Sequence, residues 1–221
     1  MFTILSQSPV FHGMEAGEIR EILDKVNYRT KRYKKGKVIA LRKEVCNDLM
    51  VIISGSVKGE MLDFSGKVIK IEDIEAPRVV ASAFLFGRHN LFPVDIIAND
   101  EVEILVIPKS SVIQLMQKSR TFLINYLNVI SDRAQFLSNK LFFLSFRTIR
   151  GKLAQFILSL SGKDNRQIRI PKTQKELAEI FGVTRPALAR VLGEMEKERI
   201  IDVSRKQITI LDRNRLSDLI R

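Results

Sequence analysis

The chain has 221 residues, 45% hydrophobic and 28% charged, with a formal net charge of +12 at pH 7. That length suits two domains of ordinary size, and the thirteen Phe help to build packed cores. The single cysteine, Cys46, excludes an internal disulfide framework and an iron–sulfur cluster held by four cysteines of one chain.

No apolar run approaches the roughly 18 to 20 residues of a membrane span, and no signal peptide is read. A cytoplasmic protein without a membrane partner is expected, with Cys46 a buried or half-exposed free thiol.

Near the start, Ile19, Ile22, Leu23 and Val26 have helical spacing and predict a small helix packed on a β-rich domain. Strand-like segments follow at Lys37–Leu41, Leu49–Ile53, Val57–Leu62, Val68–Ile71, Val94–Ala98 and Val102–Ile107, punctuated by Gly36, Gly55, Gly59 and Gly66. Closely spaced antiparallel strands of this kind suggest a compact barrel or jelly roll. The basic run Lys31, Arg32, Lys34, Lys35, Lys37 reads as a solvated strand edge and turn rather than a nucleic-acid patch. Within the β-rich part, Phe84, Leu85, Phe86, Leu91 and Phe92 surround His89. This cluster is either barrel core beside a surface histidine or a pocket for haem or another hydrophobic effector, since neutral imidazole is a common axial ligand.

A long helix is predicted next. Leu123, Leu127, Ile130, Ala134, Leu137, Leu141 and Leu144 step by four and three in alternation, a coiled-coil seam. The seam suits either a lone amphipathic helix packed on its own barrel or a parallel homodimer. Tyr126, Val129, Phe136 and Phe143 form a second apolar surface that can serve the barrel packing, which leaves the seam for another copy and favours the homodimer. The pattern ends at Ser145–Arg150, read as a hinge, and a new phase begins with Leu153, Phe156, Ile157 and Leu160.

From Thr173 to Ile201 the residues predict a helix, a turn and a second helix. Thr173 and Glu176 have capping-box spacing, and Gly182 suits the left-handed residue that ends a helix. Thr184 can cap the second helix, with Pro186 in its first turn. Leu188, Val191, Leu192 and Met195 mark the buried face; Pro186, Arg190, Gly193 and Lys197 lie opposite, with Arg185 at the tip. An αα-hairpin with solvated arginines would share this spacing. The charge distribution favours a polyanion partner: residues 147–221 hold 17 Lys and Arg against 9 Asp and Glu, two thirds of the positive excess. Ile201–Val203 and Ile208–Leu211 then predict a hairpin with a basic tip at Arg205 and Lys206, a phosphate clamp or simply an exposed turn.

This order of parts resembles the catabolite activator and fumarate–nitrate regulators of bacteria, from "SPVFHGMEAGEIREIL" through the glycine-punctuated barrel to "TQKELAEIFGVTRPALARVLGEMEKERII". The resemblance implies an α+β fold: a cyclic-nucleotide-binding-like β-barrel (jelly roll) over 1–108, a dimerisation helix and hinge over 109–146, and a winged helix-turn-helix over 147–221. It implies an effector-controlled transcription factor that binds a palindromic operator in double-stranded DNA as a homodimer, with RNA polymerase a partner if it activates. The expected DNA-facing residues are Thr173, Gln174, Thr184, Arg185, Pro186, Ala187, Arg190, Lys197, Arg205 and Lys206. Pro186 stands where the family usually has a glutamate that reads cytosine, so a different base step is expected there.

The sensor departs further. Cyclic-nucleotide binders of the family carry a Gly-Glu pair and an Arg-Ser pair; here Gly87 precedes Arg88, and Phe92-Pro93 falls at the second position. Cyclic AMP is therefore not the expected effector, and the cysteines of the oxygen-sensing branch are absent. "RPALAR" together with "AFLFG…FPVDIIA" resembles the hybrid-cluster-protein regulators, which implies haem-linked sensing of nitric oxide. The expected effector site comprises Phe84, Phe86, Gly87, Arg88, His89 and Phe92.

No enzyme constellation is read. His12 and His89 lack metal-ligand spacing, and there is no Walker loop or nucleophile elbow. The competing reading is a dimeric ligand-binding module whose C-terminal helices bind a protein.

Overall fold

In the computed structural model, residues 1–62, 66–161, 165–204 and 207–220 are described. They form two compact units, Met1–Arg133 and Ala134–Arg221.

The first unit opens with α1 (Phe2–Leu5) and α2 (Ala16–Leu23). Glu15 and Glu18 close a reciprocal capping box at the start of α2. Eight strands follow: β1 (Arg29–Tyr33), β2 (Val38–Ala40), β3 (Asp48–Ser54), β4 (Ser56–Leu62), β5 (Val68–Glu75), β6 (Val79–Val80), β7 (Asp95–Ala98) and β8 (Val102–Pro108). They make two four-stranded antiparallel sheets, in the orders β1-β8-β3-β6 and β2-β7-β4-β5. Met50, Ile52, Phe92, Ile96, Ile104 and Val106 are among the residues that fill the space between the sheets.

The other face of the first sheet is also covered. Leu49, Val51, Ile53, Leu105 and Ile107 pack on Leu5, Ile19, Leu23, Leu115, Phe122 and Tyr126 from the helices. Burial on both faces explains why β3 and β8 are nearly continuous apolar runs rather than alternating ones. The basic run behaves as expected: β1 is an edge strand whose Arg29 and Arg32 pair with Asp48 and Glu103. The Cys46 thiol is buried in the barrel core, which raises its pKa to about 11.

Residues 109–144 form two helices rather than one, α3 (Lys109–Lys118) and α4 (Arg120–Leu144). Ser119 is extended between them, and its Oγ accepts a 3.2 Å hydrogen bond from the Phe122 amide. The cap starts a new helix where the sequence pattern alone shows no break. The division between the compact units falls within α4, between Arg133 and Ala134. The reason is packing: Tyr126 and Val129 join the first unit's core, whereas Phe136 and Phe143 join the second's.

The second unit continues with α5 (Ile149–Ser161), after the expected helix break at residues 145–148. Next come β9 (Gln167–Arg169), α6 (Gln174–Phe181), α7 (Arg185–Lys197), β10 (Ile201–Ser204), β11 (Gln207–Ile210) and α8 (Arg213–Asp218). The hairpin gains an unforeseen third strand, since β9 pairs with β11 through Ile168 and Ile208. Three residues are too short to carry a period. Leu153, Ile157, Phe181, Leu188, Met195 and Ile201 are fully or almost fully buried in the core of this unit.

Gly55 joins β3 to β4 with φ of 79°, and an added Cβ would lie 2.4 Å from the Glu101 carbonyl oxygen. Gly55→Ala should cost about 2–4 kcal/mol, from left-handed strain plus the clash. All three tyrosines (Tyr28, Tyr33 and Tyr126) lie in the first unit. Tyrosine fluorescence during urea unfolding reads that loss selectively.

Candidate nucleic-acid interface and effector cavity

Helix α6 begins with a complete capping box. Thr173 Oγ1 accepts from the Glu176 amide at 3.3 Å, while Glu176 Oε2 accepts from the Thr173 amide at 2.6 Å. The helix ends at Gly182, which is left-handed at φ 66°, ψ 38°. An added Cβ there would meet Leu144 Cδ2 at 2.9 Å. Thr184 then caps α7, its Oγ1 accepting from the Ala187 amide at 3.3 Å, with Pro186 in the first turn.

A buried lysine reinforces this turn. Lys152 of α5 is 7% exposed, and its Nζ donates to the Phe181 carbonyl at 2.7 Å. A charged donor thus satisfies one of the carbonyls that a helix end leaves open. Sequence reading missed it, because a lone lysine amid apolar residues carries no periodic signal.

Four side chains of α7 face the core: Leu188, Val191, Leu192 and Met195. Thr173, Gln174, Thr184, Arg185, Pro186, Arg190 and Lys197 are exposed, with Ala187 and Gly193 partly so. Arg205 and Lys206 lie outside the described residues. The carboxylates toward the end of α7 are engaged internally. Arg150 grips Glu198 with both Nη atoms and reaches Glu194 at 3.5 Å, and Arg215 pairs with Glu198 at 3.5 Å. The Arg150 hydrogen bond holds the Glu198 carboxyl below the usual carboxylate range. Glu196 accepts from the Val203 amide at 3.3 Å. The exposed part of α7 carries Arg185 and Arg190, with Glu194 Oε1 3.7 Å from Arg190 Nε, while Glu194 and Glu198 are also held by arginines of α5 and α8.

In the first unit the expected effector residues do not converge. Phe84 borders a cavity of 180 Å³, whereas Phe92 is buried in the barrel core and borders a separate crevice of 250 Å³. Phe86 packs edge-on against Tyr126 at 5.8 Å, with Lys109 Nζ 5.0 Å from its ring. Gly87, Arg88 and His89 are exposed and border neither space. A short helical turn at Ser82–Phe84 and the irregular segment after it send successive side chains in different directions. Adjacency in the chain was a poor guide there.

The 180 Å³ cavity is lined instead by Glu72, Arg78, Ser82, Phe84, Val129 and Arg133, among others. Arg133 of α4 reaches Glu72 of β5 at 3.3 and 3.4 Å. Ala81 enters the turn with φ of 52°, and the Ser82 carbonyl accepts from Tyr126 Oη at 2.8 Å. Burial raises the Tyr126 pKa, so the phenol stays protonated and able to donate. The charged residues of β5 can be read from the sequence; the pairing of Glu72 with an arginine sixty-one residues away cannot. Among the described residues, no group of three His, Cys, Asp or Glu side chains could hold a metal ion, and no helix is long and apolar enough to cross a membrane.

Residues 151–219 match the Crp-like helix-turn-helix domain, and residues 30–119 the cyclic nucleotide-binding domain. The chain is 25% identical over 174 residues to the cAMP-activated global transcriptional regulator CRP of Salmonella typhimurium, covering 76% of this chain and 82% of that one. It is 26% identical over 205 residues to the anaerobic regulatory protein of Haemophilus influenzae, covering 89% and 78%. Its fold is similar to that of the Thermus thermophilus catabolite activator protein, with a TM-score of 0.53 at 19% identity, covering 96% of this chain and 98% of that one.

Removing the charged clamp under the helical turn should loosen α6 and α7. Lys152→Met is expected to cost about 1–3 kcal/mol, because the Phe181 carbonyl loses its buried donor. Hydrogen–deuterium exchange should quicken in α6 and α7 while the barrel amides stay unchanged; equal protection in both proteins would show that the clamp contributes nothing.

Proposed function

The chain belongs to the catabolite activator and fumarate–nitrate regulator family of DNA-binding transcription regulators, and from that premise we propose an effector-controlled homodimer that reads a palindromic operator. The observation that carries the DNA reading is the capped, anchored α7, with Arg190 on the side opposite its buried residues and Arg185 exposed at its N-terminal tip. A helix held by one face and basic on the other suits the major groove. Gln174 and Thr173, at the exposed start of α6, are proposed to meet the phosphate backbone through side chains and the helix N-terminus.

The dimer is proposed to form along α4. Leu127, Leu137, Leu141 and Leu144 are 47–70% exposed, while Tyr126 and Phe143 on the same helix are buried. Such an unpartnered leucine row is costly to leave in water. Pairing it with a second copy places two recognition helices for two half-sites related by the dimer axis. A cytoplasmic location follows from this role.

We further propose that the effector binds in the cavity bordered by Arg78 and Arg133 and is a small organic anion with an apolar body. The arginines supply the charge, and Phe84 and Val129 the apolar wall. Because Arg133 belongs to α4 and Glu72 to β5, an anion that takes Arg133 from Glu72 changes how the sheet holds the helix. That differential contact is what a shift between two states requires. Haem is not the ligand proposed for this cavity, because the residues bordering it include no histidine or cysteine and His89 is exposed away from it. At the position where cyclic-nucleotide binders carry Arg-Ser, Phe92 is core, so cyclic AMP is not the proposed ligand either.

Two measurements test the reading. Binding to a duplex selected by the protein from a random-sequence pool should weaken steeply with salt, and Arg190→Ala should cost about 1–3 kcal/mol on that duplex. Salt-insensitive retention, or unchanged affinity of the variant, would remove α7 from the readout. In sedimentation experiments, Leu141→Glu should convert a dimer to a monomer and abolish tight operator binding. A wild-type protein that sediments as a monomer at micromolar concentration defeats the two-fold reading.

A further inference from the structure

Glu194 lies one helical turn beyond Arg190 on α7, so the two side chains are neighbours on the helix surface. Its Oε1 is 3.7 Å from Arg190 Nε, and its Oε2 is 3.5 Å from Arg150 Nη2. One carboxylate is thus shared by a highly exposed arginine and a more buried one: the Arg190 side chain is 74% exposed and that of Arg150 31%. Arg150 is held in place, because its guanidinium also grips Glu198. Glu196 and Glu198 have other partners, in the Val203 amide and in Arg150 with Arg215. Glu194 is the carboxylate of this helix that meets Arg190.

The atoms involved matter. Glu194 approaches Arg190 at Nε, so both Nη groups remain available as a two-pronged donor. Two interactions open to Arg190 on DNA then respond differently. Attraction to a phosphate depends on net charge, and a neighbouring carboxylate cancels much of it. Paired hydrogen bonds to the two acceptors of a guanine edge depend on direction, and a carboxylate on the Nε side leaves that direction open.

We infer that Glu194 is a specificity-determining residue: by neutralising Arg190 from behind, it weakens indiscriminate phosphate binding while leaving the guanidinium fork free to read a base. The inference rests on the proposed DNA-facing role of α7. Arg150 is the positioning residue that keeps Glu194 in place.

The experiment uses full-length protein at one fixed salt concentration and two duplexes of equal length, one selected by the wild type from a random-sequence pool and one random. Glu194→Gln preserves size and hydrogen bonding to Arg150. It should tighten binding to the random duplex about three- to tenfold and to the selected duplex much less, so that discrimination falls. In an Arg190→Ala background the same exchange should leave discrimination unchanged. Equal tightening on both duplexes, an effect of the same size without Arg190, or no effect at all would overturn the inference while the regulator reading stands. A wild-type protein that retains neither duplex at low salt would instead defeat the DNA reading, and the inference with it.

Discussion

Residues 181–184 form the turn on which the presentation of α7 depends. The chain leaves α6 through a left-handed glycine, Lys152 holds the last carbonyl from below, and Thr184 restarts the helix. A helix of thirteen residues is marginal on its own in water. Its stability has to come from the four buried side chains and the caps, and those same contacts set its direction. The basic residues on the outer face are not part of the buried row, and the surface pair of Arg190 with Glu194 contributes little to stability. Glu194 and Arg150 extend the principle: their charges are spent against one another and against Glu198, so the helix exposes an arginine fork without a surplus of repulsive charge.

Helix α4 obeys a comparable constraint on a larger scale. Its inward residues change allegiance along its length, Tyr126 and Val129 to one core and Phe136 and Phe143 to another. The aromatic contacts at its C-terminal end, with Phe143 at 4.8 Å from Phe181 and 6.2 Å from Phe156, bind it directly to α6 and α5. Midway along it, Arg133 pairs with Glu72 at the proposed effector cavity. The N-terminal half of the helix is packed on the first core through Phe122, Tyr126 and Val129, with the Arg133–Glu72 pair beside those apolar contacts.

How much could be read in advance follows from the range of each interaction. The capping residues Thr173 and Thr184, the turn at Gly182, the buried row from Leu188 to Met195 and the leucine seam of α4 all depend on residues within a few positions of one another. Local spacing was enough to identify them, along with the charge bias of the C-terminal third. The central strands were equally legible, because burial on both faces leaves an unbroken apolar run.

The cavity proposed for the effector was not legible, and the reason is geometric. Its walls come from β5, the turn after β6, and α4, brought together by sheet pairing and by Tyr126 Oη reaching the Ser82 carbonyl. The phenylalanines around His89 looked like one site because they are neighbours in the chain, yet the backbone turns there distribute them between two cores and the surface. Lys152 on the Phe181 carbonyl, β9 against β11, and Arg150 between two glutamates are likewise pairings across 29 to 48 residues. A one-dimensional pattern records which face of an element is apolar. It does not record which distant polar groups will meet once those faces are buried.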